Sequence, residues 1–202
     1  MDFSSGIFDF GALSQMGYYL ALRVGFAYPV EEQNAFPEGW VNRYTTRGYM
    51  LSDPVMHWVY NNSGATRWSE IDIPDTRGVL VEARRFNLNY GVAISICCDA
   101  CQGQRSFGSF ARADREFTDA EISVLSESLA DLHAQRCPPT DLTRAELEAL
   151  RMVKDGLLMK EIAGLLGVTE GAVKQRLRNA KTKLRAKTST HAATMATTYG
   201  LI

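Results

Sequence analysis

Apolar and polar positions change period along this chain, and each change predicts an element. Tyr18, Leu20, Leu22, Val24 and Phe26 alternate with smaller or polar residues, the pattern of a half-buried strand. Val92, Ile94 and Ile96 predict a second strand, and residues 105–111 a weaker third. Val79, Ala83 and Phe86 recur at helical spacing. Phe117 and Thr118 followed by Glu121 and Ile122 form a capping box with its hydrophobic staple. Ile122, Leu125, Leu129 and Leu132 then mark one helical face. Trp40 and Tyr44 share a helical face at i, i+4. Asp53 and Pro54 read as N-cap and first turn of a helix over 54–60. Helices and strands mix throughout residues 1–136, which predicts an α/β/α sandwich around an antiparallel sheet.

Beyond this point the period is purely helical. Pro138 and Pro139 stop the preceding helix, so residues 137–141 are the expected linker. Thr143 and Glu146 make a second capping box, flanked by Leu142 and Leu147, and Leu147, Leu150 and Val153 give that helix its stripe. A helix from Met159 to Leu166 follows, with Ile162, Leu165 and Leu166 expected inward, then Gly167 for a tight turn and Thr169 as the next cap. Val173, Leu177, Ala180 and Leu184 repeat at 4, 3 and 4, while Lys174, Arg178, Lys181 and Arg185 repeat about 100° round the helix. A fourth helix is expected over 190–199. The fold class is therefore α+β: an N-terminal sandwich over 1–136 and an all-α four-helix, helix-turn-helix domain over 142–202.

Charge sharpens the function of the second part. Residues 1–140 hold 11 Arg, no Lys and 17 Asp/Glu, a net −6; residues 141–202 hold 11 Lys/Arg and 6 Asp/Glu, a net +5. A cationic domain beside an anionic one calls for a polyanion partner, here double-stranded DNA. Lys174, Gln175 and Arg178 sit in the N-terminal half of the third helix, the half that enters a major groove deepest. Arg176, Lys181, Lys183 and Arg185 are expected at phosphates. A solvated basic helix that binds a protein is the plain alternative.

The motif order Leu142-Thr143, Glu146, Leu150, Gly156, Glu161-Ile162-Ala163, Leu166, Val168, Val173, Leu177, Asn179, Lys183-Leu184 and Gly200-Leu201-Ile202 resembles the LuxR-type DNA-binding domain. Arg176 stands where the family often has His, and Ala145 where it often has Arg. In the first part, Trp40, Tyr44, Asp53, Pro54, Trp68 and Gly91 resemble the signature of LuxR-type autoinducer-binding domains. Without that resemblance the aromatics read first as plain core. The resemblance implies a pocket for an N-acyl homoserine lactone. Trp40 would donate to the lactone carbonyl, and Asp53 would accept from the ligand amide. Tyr44 and Trp68 would line the pocket, and Ser109 would bring a hydroxyl near the amide. Phe36 stands where several members carry a Tyr that donates to the acyl carbonyl. An apolar cavity with a few directed polar groups suits such a ligand.

Other classes are weighed on their residues. The absence of Lys from residues 1–140 argues against a phosphorylation receiver, and the strand patterns against a sigma factor. Cys98, Cys101, His133 and Cys137 could supply four zinc ligands for a metal or redox switch. Their plain reading is reduced cysteines in an ordinary hairpin, so no metal site is assigned. His57, His133 and His191 are scattered and no catalytic motif is present, so no catalytic residue and no cofactor is expected. No apolar window of about 18 residues suggests a membrane span, and the acidic start Met1-Asp2 does not suit a signal peptide. The expectation is a cytoplasmic homodimeric regulator that binds DNA and a small acylated signal, with RNA polymerase a further candidate partner. An orphan regulator of the same fold, responding to no ligand, is the alternative.

Overall fold

The strand alternation decides which side chains meet. In the computed structural model, which describes residues 9–24, 29–98, 104–137 and 141–202, β1 (Tyr18–Val24) buries Leu20 and Leu22 on one face and Ala21 on the other. It is joined by β2 (Glu31–Asn34), β3 (Gly64–Arg67), β4 (Tyr90–Cys98) and β5 (Gln104–Arg112). The order is β2-β1-β5-β4-β3, every neighbour antiparallel. β4 and β5 form a hairpin in register from Tyr90 opposite Arg112 to Cys98 opposite Gln104. Phe26, expected on the first strand, and the Cys101 turn lie outside the described residues.

Each face of the sheet has its own core. Leu20, Leu22, Val92, Ile94 and Phe110 pack against α1 (Phe10–Leu13) and α5 (Asp119–Gln135). Thr118 and Glu121 cap α5 reciprocally, as their spacing predicts. On the opposite face, Ala21, Ala93 and Phe107 meet α3 (Pro54–Asn61) through Val55, Met56 and Val59. Beside them Trp40 of α2 (Glu38–Thr46), Tyr49 of a 3₁₀ turn (Tyr49–Leu51) and Val79 and Ala83 of α4 (Val79–Arg84) form a further cluster. This is the expected α/β/α sandwich. β2 and β3 were not foreseen. Both are four-residue edge strands without large apolar residues, formed by pairing and not by their own pattern.

One bulge interrupts the alternation. The register of β1 against β5 shifts between Ala21 and Val24, with one extra residue on β1. Arg23 occupies it at φ 53°. Simple alternation would send Arg23 to the α3 face. The bulge returns it to the α5 face, where Nε and Nη2 donate to the His133 carbonyl at 2.9 and 2.6 Å. That carbonyl lies in the last turn of α5, where backbone acceptors lack helical partners. Ser106 Oγ accepts from the Arg23 amide at 2.9 Å and meets His133 Nδ1 at 2.7 Å. The hydroxyl has a second lone pair as well as its proton, so this contact suits either tautomer of a neutral imidazole. Burial, and then the Arg23 charge, hold the His133 pKa down at about 4.

The described residues divide into two compact units, one built from Glu31–Arg136 with the strand that ends at Val24, the other from Cys137–Ile202. Residues 138–140 of the expected linker lie outside the described residues. The second unit holds α6 (Arg144–Lys154), α7 (Met159–Leu166), α8 (Glu170–Lys183) and α9 (Ser189–Thr198) around Leu150, Ile162, Val173, Leu177, Leu184 and Ala192. Gly167 turns between α7 and α8 at φ 64°, a conformation costly for any residue with a Cβ. Leu165 corrects one expectation: it is 67% exposed, not inward. Ile162, Ala163 and Leu166 define the packed face of α7, and Leu165 falls about 100° away from its centre. Among the described residues, no helix is long and apolar enough to cross a membrane.

Candidate ligand pocket and DNA-facing helix

A cavity of about 210 Å³ lies between the sheet and the α2, α3 and α4 layer. Phe36, Trp40, Tyr44, Asp53, Trp68 and Ser109 all line it, so residues scattered from 36 to 109 in the chain converge there. Tyr19, Val55, Met56 and Leu80 supply apolar wall between them.

Asp53 is the hydrogen-bonding hub of its wall. As N-cap of α3 it accepts from Val55 N at 2.8 Å through Oδ1, and Oδ2 accepts from the Tyr44 hydroxyl at 2.8 Å. Pro54 at the first helical position needs no donor partner there. The carboxyl is buried, and burial raises its pKa, while Tyr44 and the Val55 and Met56 amides oppose the rise. The Tyr44 phenol is pushed up in turn, first by burial and then by the Asp53 charge. A carboxylate with four acceptor positions can still take one more donor. The structural and the ligand-binding readings of Asp53 are thus compatible.

The aromatics are held by their neighbours. Trp40 meets Tyr44 at a ring-centroid distance of 5.4 Å, Phe86 at 5.7 Å and Tyr49 at 6.2 Å. Trp68 starts a 3₁₀ turn after β3, and its ring lies flat against Gly91 of β4. A Cβ at position 91 would stand 2.2 Å from the indole, so only glycine admits the ring there. Trp68 Nε1 is buried without a hydrogen-bond partner among the described residues. Ser109 pairs with Tyr19 across β1 and with Ala93 across β4, which sets its side chain on the cavity face. Tyr19, whose hydroxyl donates to Glu32 at 3.0 Å, is a wall residue that sequence reading assigned only to a strand. Its position opposite Ser109 was the missing signal, and cross-strand register is not written in periodicity.

In the second unit α8 buries Val173, Leu177 and Ala180 and leaves Lys174, Gln175 and Arg178 exposed. Gln175 Nε2 donates to Asn179 Oδ1 at 2.8 Å, aligning two amides on the open face. Arg176 and Lys181 are half-buried along its flanks. Arg185 is exposed, but beyond the helix end and at φ 52°. Lys183 departs from its expected role at a phosphate. Its Nζ donates to Glu146 Oε2 at 2.9 Å and to the Asp141 carbonyl at 2.7 Å. Glu146 is only 3% exposed and also closes the α6 capping box. The ammonium thus neutralises a buried carboxylate and ties α8 to α6.

Residues 32–136 match the family described as autoinducer binding domain, and residues 140–196 match the bacterial regulatory proteins of the luxR family. The chain belongs to the LuxR family of autoinducer-binding transcriptional regulators. The HTH-type quorum-sensing regulator RhlR of Pseudomonas aeruginosa is 28% identical over 85% of this chain and 76% of its own. The transcriptional activator VanR of Vibrio anguillarum is 27% identical over 83% and 75%. Escherichia coli SdiA shares the fold, with a TM-score of 0.51 at 24% identity over 95% of this chain and 88% of that one. SdiA in complex with octanoyl-rac-glycerol gives 0.52 at 23%, over 95% and 86%. As a LuxR-family protein, the chain combines a small-molecule domain with a DNA-binding domain, and its relatives are transcription regulators, not enzymes. Of the residues weighed for a metal switch, Cys101 and the Cys98 side chain lie outside the described set, and His133 is engaged by Ser106. Among the described residues, no three His, Cys, Asp or Glu side chains converge as a metal site would need.

Proposed function

We propose that this chain is a cytoplasmic, homodimeric regulator whose pocket takes an acylated lactone signal such as an N-acyl homoserine lactone. It acts by binding and not by catalysis. The observation that carries the reading is the convergence of Trp40, Tyr44, Asp53 and Ser109 on one largely apolar cavity. Two directed donors, the Trp40 indole and the Ser109 hydroxyl, meet ligand carbonyls. Asp53 keeps an acceptor position for the ligand amide while Tyr44 holds its other oxygen. Phe36 contributes apolar wall and no donor, so the acyl carbonyl depends on Ser109. In the DNA-binding domain, Lys174, Gln175 and Arg178 face base edges, and Arg176, Lys181 and Arg185 face phosphates. A dimer follows from the few base pairs that one recognition helix covers. An activator of this kind would also meet RNA polymerase.

Native mass spectrometry of the full chain, prepared with and without an N-acyl homoserine lactone, tests this reading. The expected species is a dimer carrying one lactone per protomer. A monomer or dimer that never gains lactone mass would overturn the ligand assignment.

A further inference from the structure

The cavity is small for its task and is not sealed. Ligand pockets generally measure about 300–1,000 Å³, and this one holds about 210 Å³. Three of its lining side chains, Asn34, Thr45 and Met50, are themselves exposed. They belong to β2, the last turn of α2 and the 3₁₀ turn, so the opening lies where those elements meet. Trp40, Asp53 and Ser109 of the same lining are buried instead. Beside the opening stands uncovered apolar surface: Met50 is 51% exposed and Leu51 85%. Exposed apolar side chains at the mouth of an apolar cavity continue its wall outward.

We propose that the pocket reads the head of its ligand and lets the end of a long acyl tail emerge across Met50 and Leu51. This rests on the proposed function above and adds to it a ligand class: acyl signals defined by their head, with tail length open. The occupant of the uncovered surface is the tail itself, because that surface is continuous with the cavity through Met50, which belongs to both. Among the described lining residues, Met50 is the apolar side chain that is also exposed, so a tail that outgrows 210 Å³ leaves along it. Chain length then changes affinity only while methylenes are still entering the cavity, by roughly fourfold each. Further methylenes lie on Leu51 and add less, but are not rejected.

Calorimetric titration of the full chain with straight-chain N-acyl homoserine lactones of four to fourteen acyl carbons tests this. Affinity is expected to climb and then level off within about threefold from the optimum to the longest member. Leu51→Glu should weaken binding of the longest members about fivefold or more and leave the shortest unchanged. Leu51 is exposed and outside the cavity wall, so this variant should fold. A steep loss beyond one chain length, or a Leu51→Glu profile identical to the parent, would overturn the tail path. Absence of binding by every member would instead remove the underlying ligand assignment.

Discussion

Asp53 carries two duties, and substitution separates them. Asn at this position keeps an oxygen for the Val55 amide, so the α3 cap survives and stability should fall by less than about 1 kcal/mol. The charged acceptor for ligand is removed, which should weaken lactone binding roughly 10- to 100-fold. Urea unfolding and calorimetry on Asp53→Asn read the two numbers independently. Equal loss of both would make Asp53 a structural residue alone. His133 yields a pH prediction at the same scale. Its folded pKa of about 4 lies below the ordinary value of 6.5. On acidification the unfolded chain takes up the proton first, so stability falls as pH drops from about 6.5 to 4. The pair of Asp114 and Glu121 also has lowered pKa values, through Arg112 and Arg115, so their contribution is lost at more acidic pH. His133→Gln should flatten the upper part of the curve in urea midpoints taken at pH 7, 6 and 5. A parent curve with no slope there would contradict the neutral buried imidazole.

At the scale of elements, α8 shows where one helix divides its cations. Arg178→Ala with Lys181→Ala should weaken DNA binding and lower the slope of log K against log salt by about 0.9 for each phosphate left unneutralised. Lys183→Ala should act differently. It strands the buried Glu146 carboxylate and should destabilise the second unit by on the order of 3 kcal/mol. Anisotropy titrations across salt and thermal unfolding separate the two outcomes. Lys183 is grouped with the phosphate-facing cations by its charge, although it lies outside the stripe of Lys174, Arg178, Lys181 and Arg185; a sequence does not show which carboxylate crosses to meet it. The same limit hid β2 and β3, whose short edge sequences lack large apolar residues and carry no period of their own. It hid the Arg23 bulge as well, since an extra residue breaks the very alternation used to read a strand. The long, strongly patterned elements were legible: both capping boxes, the α3 start at Asp53 and Pro54, and the apolar face of α8. The pocket residues were legible through family resemblance, not through periodicity, which read the same aromatics as core. Geometry reconciles these readings, because Trp40 and Tyr44 are packed in a core cluster and line a cavity at once.

At the scale of the whole molecule, the proposal couples two binding events. A ligand that favours one state of the chain changes DNA affinity only by its differential affinity for that state. DNA must change lactone affinity by the same factor. The direct measurement is the DNA affinity of the full chain at fixed salt, by fluorescence anisotropy on a duplex selected by the protein from a random pool. It is made with and without saturating lactone, for the parent and for Asp53→Asn. The account predicts at least a fivefold change for the parent and none for Asp53→Asn at the same lactone concentration. Identical DNA affinity of the parent in both conditions, with lactone shown to be bound, would contradict it.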